Sequence, residues 1–110
     1  MVMRPGKFYV NTLVRLEANF RNDEGTDVDP TTVVIRVMSP SRVETTYTYG
    51  TDAEMTKSSV GDYAADITPD ESGRWHFRWQ TTGTGTTLAE EGDFLVQASQ
   101  FYDEETTGYA

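Results

Sequence analysis

The fold is decided by one stretch in which aromatic and polar residues alternate without a break, Arg74-Trp75-His76-Phe77-Arg78-Trp79-Gln80. Side chains of a β-strand point to opposite faces at every second residue, so the three aromatic rings share one face. With a polar face opposite, this pattern predicts a half-buried strand whose aromatic row fills a core. An exposed aromatic platform for a sugar or a peptide is the alternative interpretation of the same row.

Alternating runs of the same kind recur along the whole chain, between clusters of turn residues. They predict strands at 12–20, 32–38, 43–49, 53–57, 63–68, 74–80 and 87–97, and Phe8 to Val10 could add a short edge strand. Gly92 suggests a β-bulge in the last of these strands. The residues expected on inward faces include Val14, Leu16, Ala18, Phe20, Val33, Ile35, Val37, Tyr63, Ala65, Ile67, Phe94 and Val96.

This spacing of strands, without helical periodicity between them, predicts an all-β fold: a single antiparallel β-sandwich of about seven strands. No internal linker divides the 110 residues. We therefore expect one domain at 12–97, preceded by an N-terminal arm at 1–11 that could hold the short edge strand, and followed by a C-terminal tail at 98–110. Sheet order and register do not follow from the strand pattern.

Composition excludes several functional classes. The chain carries 18 Asp plus Glu against 9 Lys plus Arg, a net charge of −9, which disfavours nucleic acid and anionic membranes as partners. It has no cysteine, so disulfides, zinc–thiolate sites and cysteine nucleophiles are absent. No apolar run is long enough to cross a bilayer, and the first ten residues lack the apolar core of a secretory signal.

The turn Pro69-Asp70-Glu71-Ser72-Gly73-Arg74-Trp75 resembles a corner between two strands of immunoglobulin-like domains. In many of those domains a tyrosine opens the following strand and holds the corner through its hydroxyl group. Trp75 stands at that position here, so the hydroxyl bond cannot be transferred to this chain. The cysteines and the central tryptophan arrangement of antibody domains are also missing, and the resemblance is to the broad immunoglobulin-like group.

The order of several strand motifs is similar to that of small proteins encoded among the head and neck genes of tailed bacteriophages. The resemblance covers residues 12–101 and implies a virion component without catalytic activity, such as a head decoration, head-associated or head–tail connector-region protein. The motifs are Asp29-Pro30, Tyr47-Thr48-Tyr49-Gly50, Gly61-Asp62-Tyr63, Gly73-Arg74-Trp75 and Glu91-Gly92-Asp93-Phe94-Leu95-Val96.

Catalytic constellations are hard to find in this sequence. The single histidine, His76, lies on the outward face of its predicted strand with no partner motif for general-base catalysis. Glu91 and Asp93 share a strand face and could form a carboxylate pair, but a solvated strand is the simpler interpretation. No phosphate-binding loop or nucleophile elbow occurs. We therefore predict a protein that is not an enzyme and uses no cofactor.

A metal site is not expected, although four acids in 23–29 could gather oxygen ligands for calcium. The weak candidates are Asp27 and Asp29. The spacing does not match a helix–loop–helix calcium site, and Asp and Asn commonly stabilise turns through their own side chains.

The two ends of the chain carry the candidate partner-binding residues. Arg4 and Lys7 make the N-terminal arm basic, and the acidic C-terminal tail contains Phe101, Tyr102 and Tyr109 as candidate anchors. Both segments are equally open to interpretation as frayed termini.

We expect the protein to reside in a virion, to be multi-copy or homo-oligomeric, and to dock on capsid or connector subunits. Contact between the basic arm and the acidic tail across a subunit boundary is one hypothesis for this docking. An extracellular module that binds a carbohydrate or protein ligand is the alternative function.

Overall fold

The computed structural model describes residues 7–83 and 88–98, which form eight β-strands and no helix. These match the seven predicted runs and the predicted edge strand, with ends that shift by at most two residues. No helix in the described residues is long and apolar enough to cross a membrane. The strands are β1 (Lys7–Tyr9), β2 (Val14–Asn19), β3 (Thr32–Met38), β4 (Glu44–Thr48), β5 (Met55–Ser59), β6 (Asp62–Ile67), β7 (Gly73–Thr82) and β8 (Leu88–Gln97).

The strands form two sheets, one of five strands in the order β1-β8-β7-β3-β4 and one of three in the order β2-β6-β5. Every described pairing is antiparallel except that of β1, which runs parallel to β8 with Phe8 opposite Val96. The predicted antiparallel β-sandwich is therefore confirmed, with one parallel pairing at its edge. β1 is the short edge strand that was expected within the N-terminal arm.

The core lies between the two sheets and is built from the inward residues of the alternating runs. Trp75 and Trp79 are 7% and 2% exposed, and Phe77 packs half-buried against the same cluster. Burial of this row confirms the core interpretation, since alternation on a strand sends one whole face inward. The remaining buried apolar residues are Phe8, Val14, Leu16, Phe20, Val33, Ile35, Val37, Met55, Tyr63, Ala65, Ile67, Phe94 and Val96.

The corner between β6 and β7 is held by a tryptophan. The indole Nε1 of Trp75 donates a hydrogen bond of 3.0 Å to the backbone carbonyl of Glu71, four residues upstream. This is the backbone bond that a tyrosine hydroxyl provides in many immunoglobulin-like domains. The indole N–H of Trp75 thus takes the place of the missing hydroxyl as the hydrogen-bond donor at this corner. Gly73, between Glu71 and Trp75, has a φ of 130°. Pro40 lies so close that any Cβ at Gly73 would meet it at 2.7 Å.

The bulge expected at Gly92 is absent from the structure, because the pairing of Gly92 with Phe77 continues the regular register of β7 and β8. Among the described strand pairs, the register shifts instead between Lys57 and Ser59 of β5. In the run 43–49, Tyr47 packs against the core, whereas Val43 is exposed at the β3–β4 turn, where its backbone carbonyl accepts a hydrogen bond from Ser39 N.

Candidate functional site

The outer face of the five-stranded sheet concentrates basic side chains. Arginines on β3 and β7 and in the β3–β4 turn lie beside acids on β4 and β8. Together they carry one surplus positive charge on a chain whose net charge is −9. We call this surface the arginine face: Arg36, Arg42, Glu44, Arg74, His76, Arg78, Glu91 and Asp93.

Arg36 and Arg78 form the centre of this face, because they lie directly opposite each other in the β3–β7 register. Arg36 donates from Nε and Nη2 to both carboxylate oxygens of Glu44, at 2.6 and 3.2 Å, and from Nη1 to Gln80 Oε1 at 3.2 Å. Arg78 donates from Nη1 to Glu91 Oε2. Two guanidinium groups are thus held side by side, each flanked by one carboxylate.

The electrostatics of the pair follow from these contacts. Hydrogen bonding from Arg36 holds the pKa of Glu44 below its ordinary value, and the positive charge of Arg36 adds to the effect. The hydrogen bond to Glu44 raises the pKa of Arg36 in turn, and the negative charge of Glu91 contributes as well. Both groups stay ionised at neutral pH, so the face keeps its alternating charges.

A shallow groove of about 350 Å³ runs across the face, lined by groups of β3, β4, β7 and β8 and by the β3–β4 turn. Exposed His76 lies beside Met38 on its floor, and Arg42 approaches from the turn. No general-base partner for His76 is found among the described residues, since both flanking acids pair with arginines. Glu91 accepts from Arg78, and Asp93 accepts from Arg74 at 3.2 Å.

The carboxylates considered for calcium make structural contacts. Asp29 accepts hydrogen bonds from Lys57 Nζ at 2.8 Å, Gly61 N at 2.9 Å and Tyr63 Oη at 3.2 Å. Asp27 accepts one from Arg21 Nε at 3.0 Å. These N–H and O–H donors occupy oxygen positions that a cation would need. The described residues contain no group of three or more His, Cys, Asp or Glu that could hold a metal ion.

Asp29 instead ties the β2–β3 loop to the β5–β6 hairpin. The hydrogen bond from Lys57 is the largest cause that lowers the pKa of Asp29, followed by the bond from the Gly61 backbone. Burial raises the pKa of Tyr63 to about 12, and the charge of Asp29 contributes to that rise. The ring of Tyr49 packs edge-on against Tyr63 at 5.2 Å. This arrangement is a stabilising anchor.

The predicted partner-binding residues lie largely outside the described ranges. This holds for Arg4, Phe101, Tyr102 and Tyr109. Lys7 lies in β1, opposite Leu95. The arginine face itself escaped the sequence analysis, because its members come from separate strands. The only signal available was the polar half of the alternation in β3 and β7, which does not reveal the register.

Comparison with known proteins identifies the fold. No family model and no curated protein matches the chain. Among solved structures, the Lin-41 filamin domain is similar over 83% of this chain and 82% of its own, with a TM-score of 0.60 and 16% identity. The chain has an immunoglobulin-like β-sandwich fold.

Two similar structures are parts of longer enzymes. A putative glycoside hydrolase from Bacteroides vulgatus ATCC 8482 matches over 87% of this chain but 17% of its own, with a TM-score of 0.59 and 14% identity. The chitinase ChiW of Paenibacillus sp. str. FPU-7, a cell-surface-expressed multi-modular enzyme, matches over 87% of this chain and 8% of its own, with a TM-score of 0.61 and 20% identity. The immunoglobulin-like sandwich thus corresponds to a small part of each enzyme.

Proposed function

We propose that this chain is a non-enzymatic docking domain in a multi-copy assembly, a structural protein of a bacteriophage particle. The observation that carries the proposal is the orientation of β7. Its tryptophans fill the core, while its outward side chains, Arg74, His76, Arg78 and Gln80, form a charged and polar surface. Such a surface suits protein partners, whose contacts combine charge complementarity with shape.

The particle role itself is supported by the order of strand motifs along 12–101, which is similar to that of phage head and neck proteins. Its position would be that of a head decoration, a head-associated protein or a connector-region protein, docked on capsid or connector subunits. Adhesion of this kind needs a rigid scaffold and a few anchors, and it does not require a titrating catalytic group.

Purified particles provide the test. If the chain is a virion component, mass spectrometry should detect it in gradient-purified particles at a fixed copy number relative to the capsid subunit. Antibodies against the folded domain should also label particles in electron micrographs. Genes for capsid or connector proteins should lie beside its own gene. Particles that lack the chain altogether would refute the particle role.

A second candidate function is that of a binding or accessory module in a longer extracellular protein. It is favoured by the recurrence of this fold as a small part of two carbohydrate-active enzymes. Sugar-binding modules use exposed aromatic rings, and burial of Trp75 and Trp79 works against that use here. Retention of the purified chain on insoluble chitin or other glycans would favour the module, and free passage would leave docking as the better account.

A further inference from the structure

The arginine face has hydrogen-bonding capacity that its own acids leave unused. Arg36 and Arg78 lie directly opposite each other on neighbouring strands, and one carboxylate beside each, Glu44 or Glu91, offsets the repulsion of like charges in that position. The Nε atom of Arg78 is also buried, with no hydrogen-bond partner among the described residues. Because this Nε atom is covered, an incoming carboxylate would meet the outer Nη atoms of the guanidinium groups, whose fork matches a carboxylate in geometry. The pair is therefore suited to receiving another carboxylate.

We propose that the arginine face binds the acidic tail segment Asp103-Glu104-Glu105 of a second copy of this chain. The segment carries three adjacent carboxylates and follows two aromatic residues, Phe101 and Tyr102. The groove offers arginines for the acids and apolar Met38 for an aromatic ring. This contact goes beyond the particle role, since it can form in a solution of the pure protein.

Chain length favours a second copy over the same molecule. Arg78 lies opposite Glu91, seven residues before Ala98, a distance of about 24 Å along β8. The tail would have to reverse its direction to return over its own sheet, and a tight reversal takes about two residues. The five residues that remain, up to and including Glu105, span at most about 18 Å. In the same molecule the backbone of Glu105 would stop about 6 Å short of the level of Arg78, so contact would need fully extended side chains, whereas the tail of a second copy has no such limit.

A contact of this kind is heterologous, because each copy offers one tail and one face. Repetition of the contact generates a closed ring or an open filament. It would also join copies that repel each other overall, since the chain has a net charge of −9. The attraction is therefore local and should weaken with salt, whose screening length falls as ionic strength rises.

The first experiment is sedimentation velocity on the full chain at increasing concentration. We expect reversible self-association in about 50 mM NaCl that is lost in about 500 mM NaCl. Two sets of substitutions should each weaken association by about tenfold or more, by removing charge-assisted hydrogen bonds. One is the tail triple Asp103→Asn, Glu104→Gln, Glu105→Gln, and the other is the face double Arg36→Gln, Arg78→Gln.

Matched controls separate this contact from general charge effects. The triple Asp23→Asn, Glu24→Gln, Asp70→Asn removes the same charge from exposed positions outside the tail. It should leave association unchanged or strengthen it, because it reduces net repulsion. The double Arg15→Gln, Arg21→Gln removes two arginines that lie off the face, and it serves as the control for the face double. Circular dichroism of every variant checks that the fold is retained.

Mixing the two sets tests which surfaces meet. The tail triple and the face double should each be monomeric alone, yet an equimolar mixture should form a heterodimer, because one partner keeps its tail and the other its face. The proposal fails if the unmodified chain stays monomeric at low salt, or if the mixture does. It also fails if association is abolished by Arg4→Gln with Lys7→Gln and not by the face double, since the basic arm would then be the receptor.

Discussion

At the scale of single residues, Trp75 carries both part of the core and the corner bond to the Glu71 carbonyl. The indole N–H of Trp79, two positions further along β7, has no hydrogen-bond partner among the described residues. The two rings thus contribute through burial, but only Trp75 also fixes the path of the backbone. The contribution of the corner bond to stability can be separated from that of burial by replacing Trp75 with each of two smaller aromatic residues.

Trp75→Phe and Trp75→Tyr remove almost the same ring volume, and they differ by one hydroxyl group. Both should destabilise the fold, because each leaves space in the core. We expect the tyrosine variant to be more stable by about 1 kcal/mol, since its hydroxyl can donate to the carbonyl at this corner. Urea unfolding with an unchanged m-value measures the difference. Equal midpoints would mean that the corner bond contributes nothing.

The Asp29 anchor predicts a pH dependence. Because contacts with Lys57 and the Gly61 backbone hold the pKa of Asp29 below its unfolded value of 3.8, the folded state binds fewer protons there. The resulting stability is fully present above the unfolded pKa and is lost as pH falls through the folded pKa. Asp29→Asn should lower the melting temperature at pH 7 and flatten its fall as the pH drops below about 4.

Calorimetry over that pH range checks the expectation for Asp29. Asp23→Asn provides the control, because it neutralises an exposed carboxyl of the same loop. The control should keep the acid dependence of the unmodified chain. If both variants show the same pH profile as the unmodified chain, the anchor makes no acid-dependent contribution.

At the scale of elements, alternation predicts strands well because each residue's environment is set by its own strand. The inward faces of β2, β3, β6 and β7 follow directly from it. Pairing depends on contacts between distant parts of the chain, which local patterns do not encode. The parallel β1–β8 ladder was therefore missed.

The candidate site was missed for the same reason. Arg36 and Arg78 are outward residues of two alternating runs, and each alone indicates only a solvated strand face. Their meeting depends on the β3–β7 register. The indole that replaces the corner hydroxyl was missed differently. The position of Trp75 was recognised, but the reach of its N–H to Glu71 depends on the conformation of the turn.

The need for glycine at position 92 of β8 is set by Phe77 on the neighbouring strand β7. A Cβ built there would lie 2.5 Å from Cζ of Phe77, so the phenyl ring covers the glycine across the β7–β8 pair. Gly92→Ala should cost about 1–3 kcal/mol, because the ring must move within a packed core. In the double variant with Phe77→Leu the cost should be smaller than the sum of the two single costs. Chemical denaturation of the four proteins measures this coupling, and strict additivity would contradict the contact.

At the scale of the whole molecule, β1 makes part of the N-terminal region an edge strand of the five-stranded sheet. Its central residue, Phe8, is 2% exposed and packs edge-on against Phe94 at 5.7 Å, whereas the adjacent Tyr9 is 53% exposed. A three-residue strand is therefore part of the core that the two sheets share.

Phe8→Ala should destabilise the chain by about 3–5 kcal/mol, the usual cost of removing a buried phenyl ring. A small domain has a total stability of only about 5–15 kcal/mol, so this variant should approach the limit of folding. Tyr9→Ala, on the opposite face of the same strand, should cost less than about 1 kcal/mol and serves as the control. Thermal unfolding followed by circular dichroism compares the two. Equal losses would mean that β1 contributes through its backbone pairing with β8, and that Phe8 adds nothing to the core.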